Sequence, residues 1–303
     1  MSSSHTGPFR TLLFAPGNHP RRVQKALGLS ADVVILDLED AVAIAEKVAT
    51  RAVAVDALQG ERTGLGYVRV NAYDTDFCFG DLLVVVAKGV DGIILPKVET
   101  PAQLQSVDWV VGQLEREKGL PAGGIDIIPI IETGKGVANV HGIASTSTRI
   151  KRLSFGAGDY TKDMAMRWTR HEGELAHARA EIAVASRAAG LEAPLDTVWI
   201  HIKETEGCIK SAELVCDMGF QGKLCIHPDQ VDPVNAVFTP SDEEVAFAKK
   251  VVMAFEEAEA QGLASIQVEG YFVDYPIVDQ AQRTLDVIEK IRRKISVSPR
   301  ILS

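Results

Sequence analysis

The sequence predicts an α/β protein, a (β/α)8 TIM barrel with a C-terminal extension. Three observations carry that expectation. Short β-rich runs alternate with longer amphipathic runs, the pattern of parallel βα units. The strand candidates are almost continuously aliphatic, as strands covered on both faces must be. Eight such repeats fill about 230 residues before the pattern stops, which is the size of one barrel.

The strands are expected in "TLLFAPG" from Thr11, "DVVILDLED" from Asp32, "GYVRVNA" from Gly66 and "GIILPKVE" from Gly92. The second half supplies "DIIPIIET" from Asp126, "RLSFGAGD" from Arg152, "LDTVWIHI" from Leu195 and "GKLCIHP" from Gly222. Helices fill the gaps. "ELAHARAEIAVASRAAG" and "TEGCIKSAELVCDMG" carry apolar residues at three-to-four spacing and end on Gly190 and Gly219, a C-terminal signal. The rival open, doubly wound sheet would place GxGxxG after its first strand, and none is there. After "IHPDQV" the repeat ends. A helix opening with a Ser-x-x-Glu capping box at Ser241 and Glu244 follows, then a β-turn-β piece around Glu269 and Gly270, then a last helix. The boundaries are therefore a flexible tail over 1–9, a barrel over 10–240 and an extension over 241–303.

With 303 residues, 46% of them hydrophobic, the chain can bury a large core. Its longest aliphatic run, "LLVVVA" from Leu82, is far shorter than the roughly 20 residues that span a bilayer. "MSSSHTGPFR" has no apolar secretory stretch. Cys78, Cys208, Cys216 and Cys225 form no CxxC pair and read as reduced thiols of a cytoplasmic protein. A net charge of -9 repels nucleic acid and anionic membrane alike, so an anionic substrate must be met by locally placed basic residues.

In a barrel of this kind the chemistry lies at the carboxyl ends of the strands. Strand two ends in Asp37, Glu39 and Asp40, strand three in Arg69 and Asn71, and strand four in Lys97 and Glu99. Glu132, Asp159, His201 and His227 close strands five to eight. A single charge at a strand end is ordinarily where the chain meets water. Seven in succession, converging on one axis, form either a structural ion-pair network or a site that holds something. Metal-ligand histidine spacing such as HExxH is absent, and carboxylates with water suit a hard cation, Mg2+ or Mn2+. Glu132 before "TGKG" and Asp159 after "FGAG" sit beside glycines that allow close approach. Arg69 and Lys97 would serve a carboxylate or a developing enolate. By pleat parity Asp37 and Glu39 share the site face, and Asp40, on the other, reads as structural.

"RTLLFAPGNHP", "VVILDLEDAVAIAEKVATR", "VRVNAYDT", "GIILPKVE", "IPIIETGKGV", "LSFGAGDYTKD", "GFQGKLCIHPDQV" and "VDYPIVDQA" resemble, in order and spacing, the citrate lyase beta-subunit-like (CitE-like) proteins of the HpcH/HpaI aldolase superfamily. Malyl-CoA, methylmalyl-CoA and citramalyl-CoA lyases belong to that group. The resemblance covers about residues 10 to 290. It implies a barrel with a C-terminal lid, assembled as a homotrimer or hexamer, with Mg2+ (or Mn2+) on Glu132 and Asp159 and a coenzyme A thioester as substrate. Arg69 then grips the keto-acid, and Asp274 in "YFVDYPI" is the lid aspartate that enters a neighbouring subunit's site as acid/base. On its own residues Asp274 reads instead as the N-cap of the last helix, with Pro276 in the first turn. Phe14, Lys25, Gly158, Ile226 and His227 match positions that contact the thioester or the substrate. Two departures stand out: His19 where many CoA-dependent members have arginine, and His201 where aspartate is usual.

The implied reaction is a retro-Claisen cleavage of a carboxylated 3-hydroxyacyl-CoA to acetyl-CoA (or propionyl-CoA) and glyoxylate or pyruvate. Three alternatives stay open. The chain is the beta subunit of a citrate lyase complex acting on citryl-acyl carrier protein, or it also hydrolyses malyl-CoA, or it binds acyl-CoA without catalysis. The last is disfavoured because every expected catalytic position is occupied, and His227 speaks mildly against the first.

Overall fold

The computed structural model describes residues 7–296, with side chains through residue 293. Residues 1–6 of the expected tail and 297–303 of the extension lie outside the described residues. Eight parallel strands close into a barrel in chain order. They are β1 (Thr11–Pro16), β2 (Val33–Asp37), β3 (Leu65–Arg69), β4 (Gly92–Leu95), β5 (Asp126–Ile131), β6 (Ser154–Phe155), β7 (Leu195–Asp196) and β8 (Gly222–Cys225). Closure comes from β8 pairing with β1, Leu12 opposite Leu224.

The strands are buried on both faces, which accounts for their unbroken aliphatic character. Leu12, Val33, Ile35, Tyr67, Ile94, Ile128, Ile130, Leu195 and Leu224 point inward and fill the barrel. Their neighbours Leu13, Val34, Leu36, Val68, Ile93, Ile127 and Cys225 point outward into a second core under the helices. That alternation of faces carries Asp37 and Arg69, the last residues of β2 and β3, into the barrel mouth. The two strands pair in register, Asp37 opposite Arg69.

Around the strands lie α1 (Pro20–Leu27), α2 (Lys47–Leu58), α3 (Cys78–Val85), α4 (Pro101–Glu117), α5 (Gly134–Ala138), α6 (Val140–Ala144), α7 (Ala157–Asp163), α8 (Ala176–Ala188), α9 (Thr205–Asp217) and α10 (Val231–Val237). Gly190 (φ +71) and Gly219 (φ +88) turn left-handed just past α8 and α9, a conformation that glycine adopts without a Cβ clash. The expected long strands six and seven are two residues each. His201 consequently lies in coil beyond β7, its ring edge-on to buried Trp199 at 5.2 Å.

At the other end of the barrel, Phe9 is buried rather than part of a tail. It sits beneath the Arg152 guanidinium, 3.8 Å from the ring centroid, and Arg152 is paired with Asp126 at 2.5 Å. An aromatic ring there closes the bottom of the barrel, which a polar tail would leave open to water. Beyond the barrel, α11 (Asp242–Glu259), β9 (Ile266–Val268), β10 (Tyr271–Val273) and α12 (Tyr275–Ser296) complete the chain. Ser241 caps α11 reciprocally with Glu244, at 3.2 and 2.7 Å. Ala248, Val251, Phe255, Val268, Val273 and Ala281 give this extension a small core of its own. Among the described residues, no helix is long and apolar enough to cross a membrane.

Candidate active site

At the carboxyl end of the barrel, Asp37 is buried and does two jobs. Its Oδ1 accepts from the Glu39 amide (2.9 Å) and its Oδ2 from the Ala41 amide (3.0 Å), which folds the acidic segment back over the rim. Both oxygens also accept from Arg69, through Nε and Nη2 at 2.7 Å each, a two-pronged pairing that fixes the guanidinium plane. Arg69 in turn stacks on Phe14, 4.8 Å from the ring centroid. Burial alone would raise the Asp37 carboxyl, but the charge and hydrogen bonds of Arg69 outweigh it and hold the group below the usual carboxylate range.

Nη1 of Arg69 remains for the next carboxylates. Glu39 Oε2 lies 3.1 Å from it, and Asp40 Oδ2 lies 3.9 Å away. The Lys97 ammonium reaches the same group from β4's end: 2.5 Å to Glu39 Oε1, 3.3 Å to Asp159 Oδ2 and 4.0 Å to Asp40 Oδ2. Asp40 is exposed but faces both cations, so it is part of this rim rather than a structural residue on the far face; the strand has ended at Asp37 and pleat parity no longer applies. Burial holds Glu39 above the usual carboxylate range even so close to Arg69 and Lys97.

Glu132 follows β5 directly. Its Oε1 accepts from the Lys97 backbone amide at 2.8 Å. Its Oε2 lies where Gly156 leaves room: a Cβ there would stand 2.4 Å from that oxygen. Burial pushes the carboxyl up to about 8, with Glu39 and Asp159 adding to the effect and Arg69 and Lys97 opposing it. Asp159 sits in the first turn of α7, one residue after exposed Gly158.

The structure thus brings Asp37, Glu39, Arg69, Lys97, Glu132 and Asp159 together. Five carboxylates including Asp40 face two cations, and Glu39 Oε2, buried and 3.1 Å from Arg69 Nη1, accepts no hydrogen bond from any described residue. A hard divalent cation fits this donor set: oxygen ligands only, excess negative charge, and one buried carboxyl poorly tolerated without a further positive neighbour. Among the described residues no group of three or more His, Cys, Asp or Glu side chains is disposed to hold a metal ion, so an ion here would rest on at most two carboxylates, with water and substrate in its other positions.

Other expected residues go elsewhere. Asn71 turns away to bind Asp81 through both its amide and its side chain, and Glu99 pairs with Lys135 at 2.9 Å. His19 is exposed at the start of α1, where it lines a shallow depression with Arg21 and Arg22; Lys25 is exposed in that helix's last turn. Ile226 and His227 follow β8, next to β1, and the His227 ring accepts from the Asp229 amide at 3.3 Å. Asp274 immediately precedes α12. Its carbonyl accepts from the Val278 amide at 3.0 Å, while its carboxylate has neither a hydrogen bond nor an ion pair to any described residue. The side chain therefore neither caps the helix by a hydrogen bond nor pairs with the rim of its own chain.

One supporting residue was not singled out by the sequence. The buried Lys47 ammonium donates to the carbonyls of Leu38 (3.0 Å) and Glu39 (2.6 Å) and to Asn71 Oδ1 (2.7 Å), clamping the acidic segment from behind. Its signal was the charge at the start of a helix next to the motif "LDLEDAV", which has no partner within reach along the sequence.

The family model described as HpcH/HpaI aldolase/citrate lyase matches residues 10–228. The citrate lyase subunit beta of Leuconostoc mesenteroides subsp. cremoris is 39% identical over 278 residues, 91% of this chain and 92% of that one. The L-malyl-CoA/beta-methylmalyl-CoA lyase of Cereibacter sphaeroides is 35% identical, covering 91% and 93%. Among solved structures, CitE from Mycobacterium tuberculosis in complex with magnesium, acetoacetate and coenzyme A superposes with a TM-score of 0.76 at 30% identity, covering 94% of this chain and 99% of that one. With a closed eightfold barrel, a carboxylate rim at its carboxyl end and these matches across nearly its whole length, the chain belongs to the HpcH/HpaI aldolase/citrate lyase family.

Proposed function

We propose that the protein is a divalent-metal-dependent carbon–carbon lyase that cleaves a carboxylated 3-hydroxyacyl-CoA, such as malyl-CoA or citramalyl-CoA, to acetyl-CoA and a 2-oxo acid. The observation that carries this is Glu132: a buried carboxyl raised to about 8, pressed against Gly156 and near enough to Asp159 and Lys97 for their charges to act on it. Glu132 and Asp159 would hold Mg2+, or Mn2+. The ion supplies Lewis acidity toward the substrate's carboxylate and hydroxyl oxygens.

The chain's own residues do the rest. Arg69, fixed by Asp37 and Phe14, presents Nη1 to the oxygen that carries charge as the carbon–carbon bond breaks. Because its orientation is set before substrate arrives, little reorganisation accompanies the step. Lys97 and Glu39 line the same mouth and would position the oxyacid. Phe14 on β1, His19 and Lys25 at the start and in the last turn of α1, and Ile226 and His227 after β8 would take the coenzyme A portion, with Arg21 and Arg22 supplementing His19 toward phosphate. The thioester enolate released by cleavage needs a proton, and Asp274 is our candidate donor, reaching the site from a neighbouring subunit of a homotrimer or hexamer. That its carboxylate has no hydrogen bond or ion pair to any described residue supports that placement. The extension over 241–303 then acts as a lid on the barrel over 10–240. Four free cysteines accord with a reducing compartment, the cytoplasm.

A second reading is favoured by the 39% identity to a citrate lyase subunit beta: the chain works inside such a complex on citryl-acyl carrier protein. Purified protein assayed against malyl-CoA, citramalyl-CoA and 3-hydroxy-3-methylglutaryl-CoA, each with Mg2+ and with EDTA, separates these. Keto-acid release with Mg2+ and none with EDTA is expected. Inertness on all three with turnover of a carrier-protein thioester would select the second reading, and thiol release without acetyl-CoA accumulation would indicate a thioesterase. The shared site has its own test. Mixing inactive Asp274→Ala with inactive Arg69→Ala protein, after subunit exchange, should restore about a quarter of native activity, because a quarter of randomly mixed sites combine an intact barrel with an intact lid. No recovery despite exchange would place the site within one chain.

A further inference from the structure

Lys97 has two features that an ordinary substrate contact does not require. Its backbone is left-handed (φ +52), a conformation uncommon for non-glycine residues and shared here with Ala165, Glu172 and Glu269. And every ion-pair partner of its ammonium is a carboxylate of the rim: Glu39, Asp159 and Asp40, from two separate segments of the barrel mouth. The backbone amide meanwhile donates to Glu132. One residue thus holds one candidate ion ligand through its main chain and the other through its side chain.

The ammonium, 3.3 Å from Asp159 Oδ2, stands in the space that a hard cation on Asp159 needs, since such ions lie about 2.0–2.6 Å from their oxygens. Two cations cannot share that oxygen at those distances without strong repulsion. The Lys97 side chain is 29% exposed, so it has a way out toward the mouth, whereas its amide contact to Glu132 belongs to the backbone and stays. Without Lys97, five carboxylates would face Arg69 alone, and Arg69 already gives two of its donors to Asp37. A divalent ion on Asp159 would repel the ammonium from that oxygen toward the open mouth, where it can meet an anion.

We propose that Lys97 is an internal counter-cation of the ion site: its ammonium occupies Asp159 until a divalent ion and an anionic substrate together draw it off. The metal then binds modestly alone and more tightly with the oxyacid, beyond what shared coordination of the oxyacid would give. This rests on Glu132 and Asp159 as the ion-holding pair. It assigns Lys97 as a positioning residue that sets the order of binding.

The test is a binding measurement that needs no turnover. Mn2+ is titrated into native, Lys97→Met, Lys97→Arg and Glu132→Gln proteins, with free Mn2+ followed by electron paramagnetic resonance, in the absence and presence of pyruvate. Lys97→Met should bind Mn2+ alone about tenfold tighter, the scale of one removed neighbouring charge in a partly exposed site. Its enhancement by pyruvate should shrink severalfold, and Lys97→Arg, which keeps the charge, should behave as native. Should the methionine variant not fold, Lys97→Gln repeats the measurement. Unchanged or weaker Mn2+ affinity in the uncharged variants, with Glu132→Gln losing binding, would overturn this inference and leave the ion site standing. Native-like Mn2+ binding by Glu132→Gln would remove the ion site itself and both readings with it.

Discussion

Two clusters of buried charge in this barrel are built to opposite rules. On the flank, between the barrel wall and α8, Asp196 of β7 accepts from Arg179 at 2.9 and 3.0 Å and from Lys223 of β8 at 2.5 Å. Glu172 accepts from the same guanidinium at 2.8 Å and from Ser211 at 2.7 Å. Two cations meet two carboxylates there, and none of the four charged side chains is more than 1% exposed. At the rim, five carboxylates meet two cations. The electrostatic outcome differs accordingly. Burial pushes the Asp196 carboxyl up, yet Lys223 and Arg179 bring it below the usual range, whereas burial raises Glu132 to about 8 with too little opposing charge. A cluster that neutralises itself holds the fold together. One that does not is prepared for an added cation.

The sharpest way to break this contrast is Glu132→Gln. Keto-acid release should fall by roughly a thousandfold or more, since the ion's contribution to such a step is several kcal/mol. Above pH 8, where the native carboxyl ionises, the metal-free variant should melt a few degrees higher than the native protein, because a buried, poorly compensated charge is gone. Calorimetry with EDTA decides it. A lower melting temperature would mean that Glu132 stabilises the fold as the flank carboxylates do.

The reverse behaviour is expected on the flank. Lys223→Met leaves Asp196 and Glu172 sharing one guanidinium in a dry site, and removing one partner of such a network costs about 3–5 kcal/mol. Denaturant unfolding should report that loss, while Mn2+ affinity of the folded variant stays within about twofold of native. A large change in ion affinity would show the two clusters to be coupled.

The rim was more legible in the sequence than the flank, for a physical reason. Strand ends of a barrel point to one place, so Asp37, Arg69, Lys97, Glu132 and Asp159 could be gathered by knowing only where aliphatic runs stop. Arg179, Asp196 and Lys223 lie in separate segments, and their meeting depends on β7–β8 register and on how α8 lies against the wall, which no local pattern encodes. The same limit hid Lys47 behind the acidic segment and the burial of Phe9. It also misassigned Asn71, whose parity matched Arg69 but whose strand had already ended at Arg69, freeing it to turn toward Asp81. Strand length was overestimated at β6 and β7, where "GAGD" and "TVWIHI" leave the ladder early and His201 falls outside it.

The smallest expected effect is in the pH dependence, and it carries opposite signs at Glu132 of the rim and Asp196 of the flank. Glu132 has a folded-state pKa of about 8 against an ordinary value of 4.5, so between those values the native protein binds more protons than the unfolded chain. Stability of the metal-free protein therefore falls as pH rises from about 5 to 8, and Glu39, also raised, adds to the slope. Asp196 lies below its ordinary 3.8, so its contribution is present above that value and is lost as pH falls through the folded-state pKa. Melting temperatures taken at unit intervals with EDTA should thus decline on the alkaline side because of Glu132 and Glu39, and on the acid side because of Asp196 together with Asp37, the rim carboxyl that Arg69 holds low. Saturating Mg2+ should flatten the alkaline limb alone, since a cation on Glu132 takes the place of the proton. Glu132→Gln should shrink that limb without metal, and Lys223→Met should move only the acid one. An alkaline limb unchanged by both Mg2+ and Glu132→Gln would mean that the rim carboxyl is already compensated within the chain, and the difference between the two clusters would disappear.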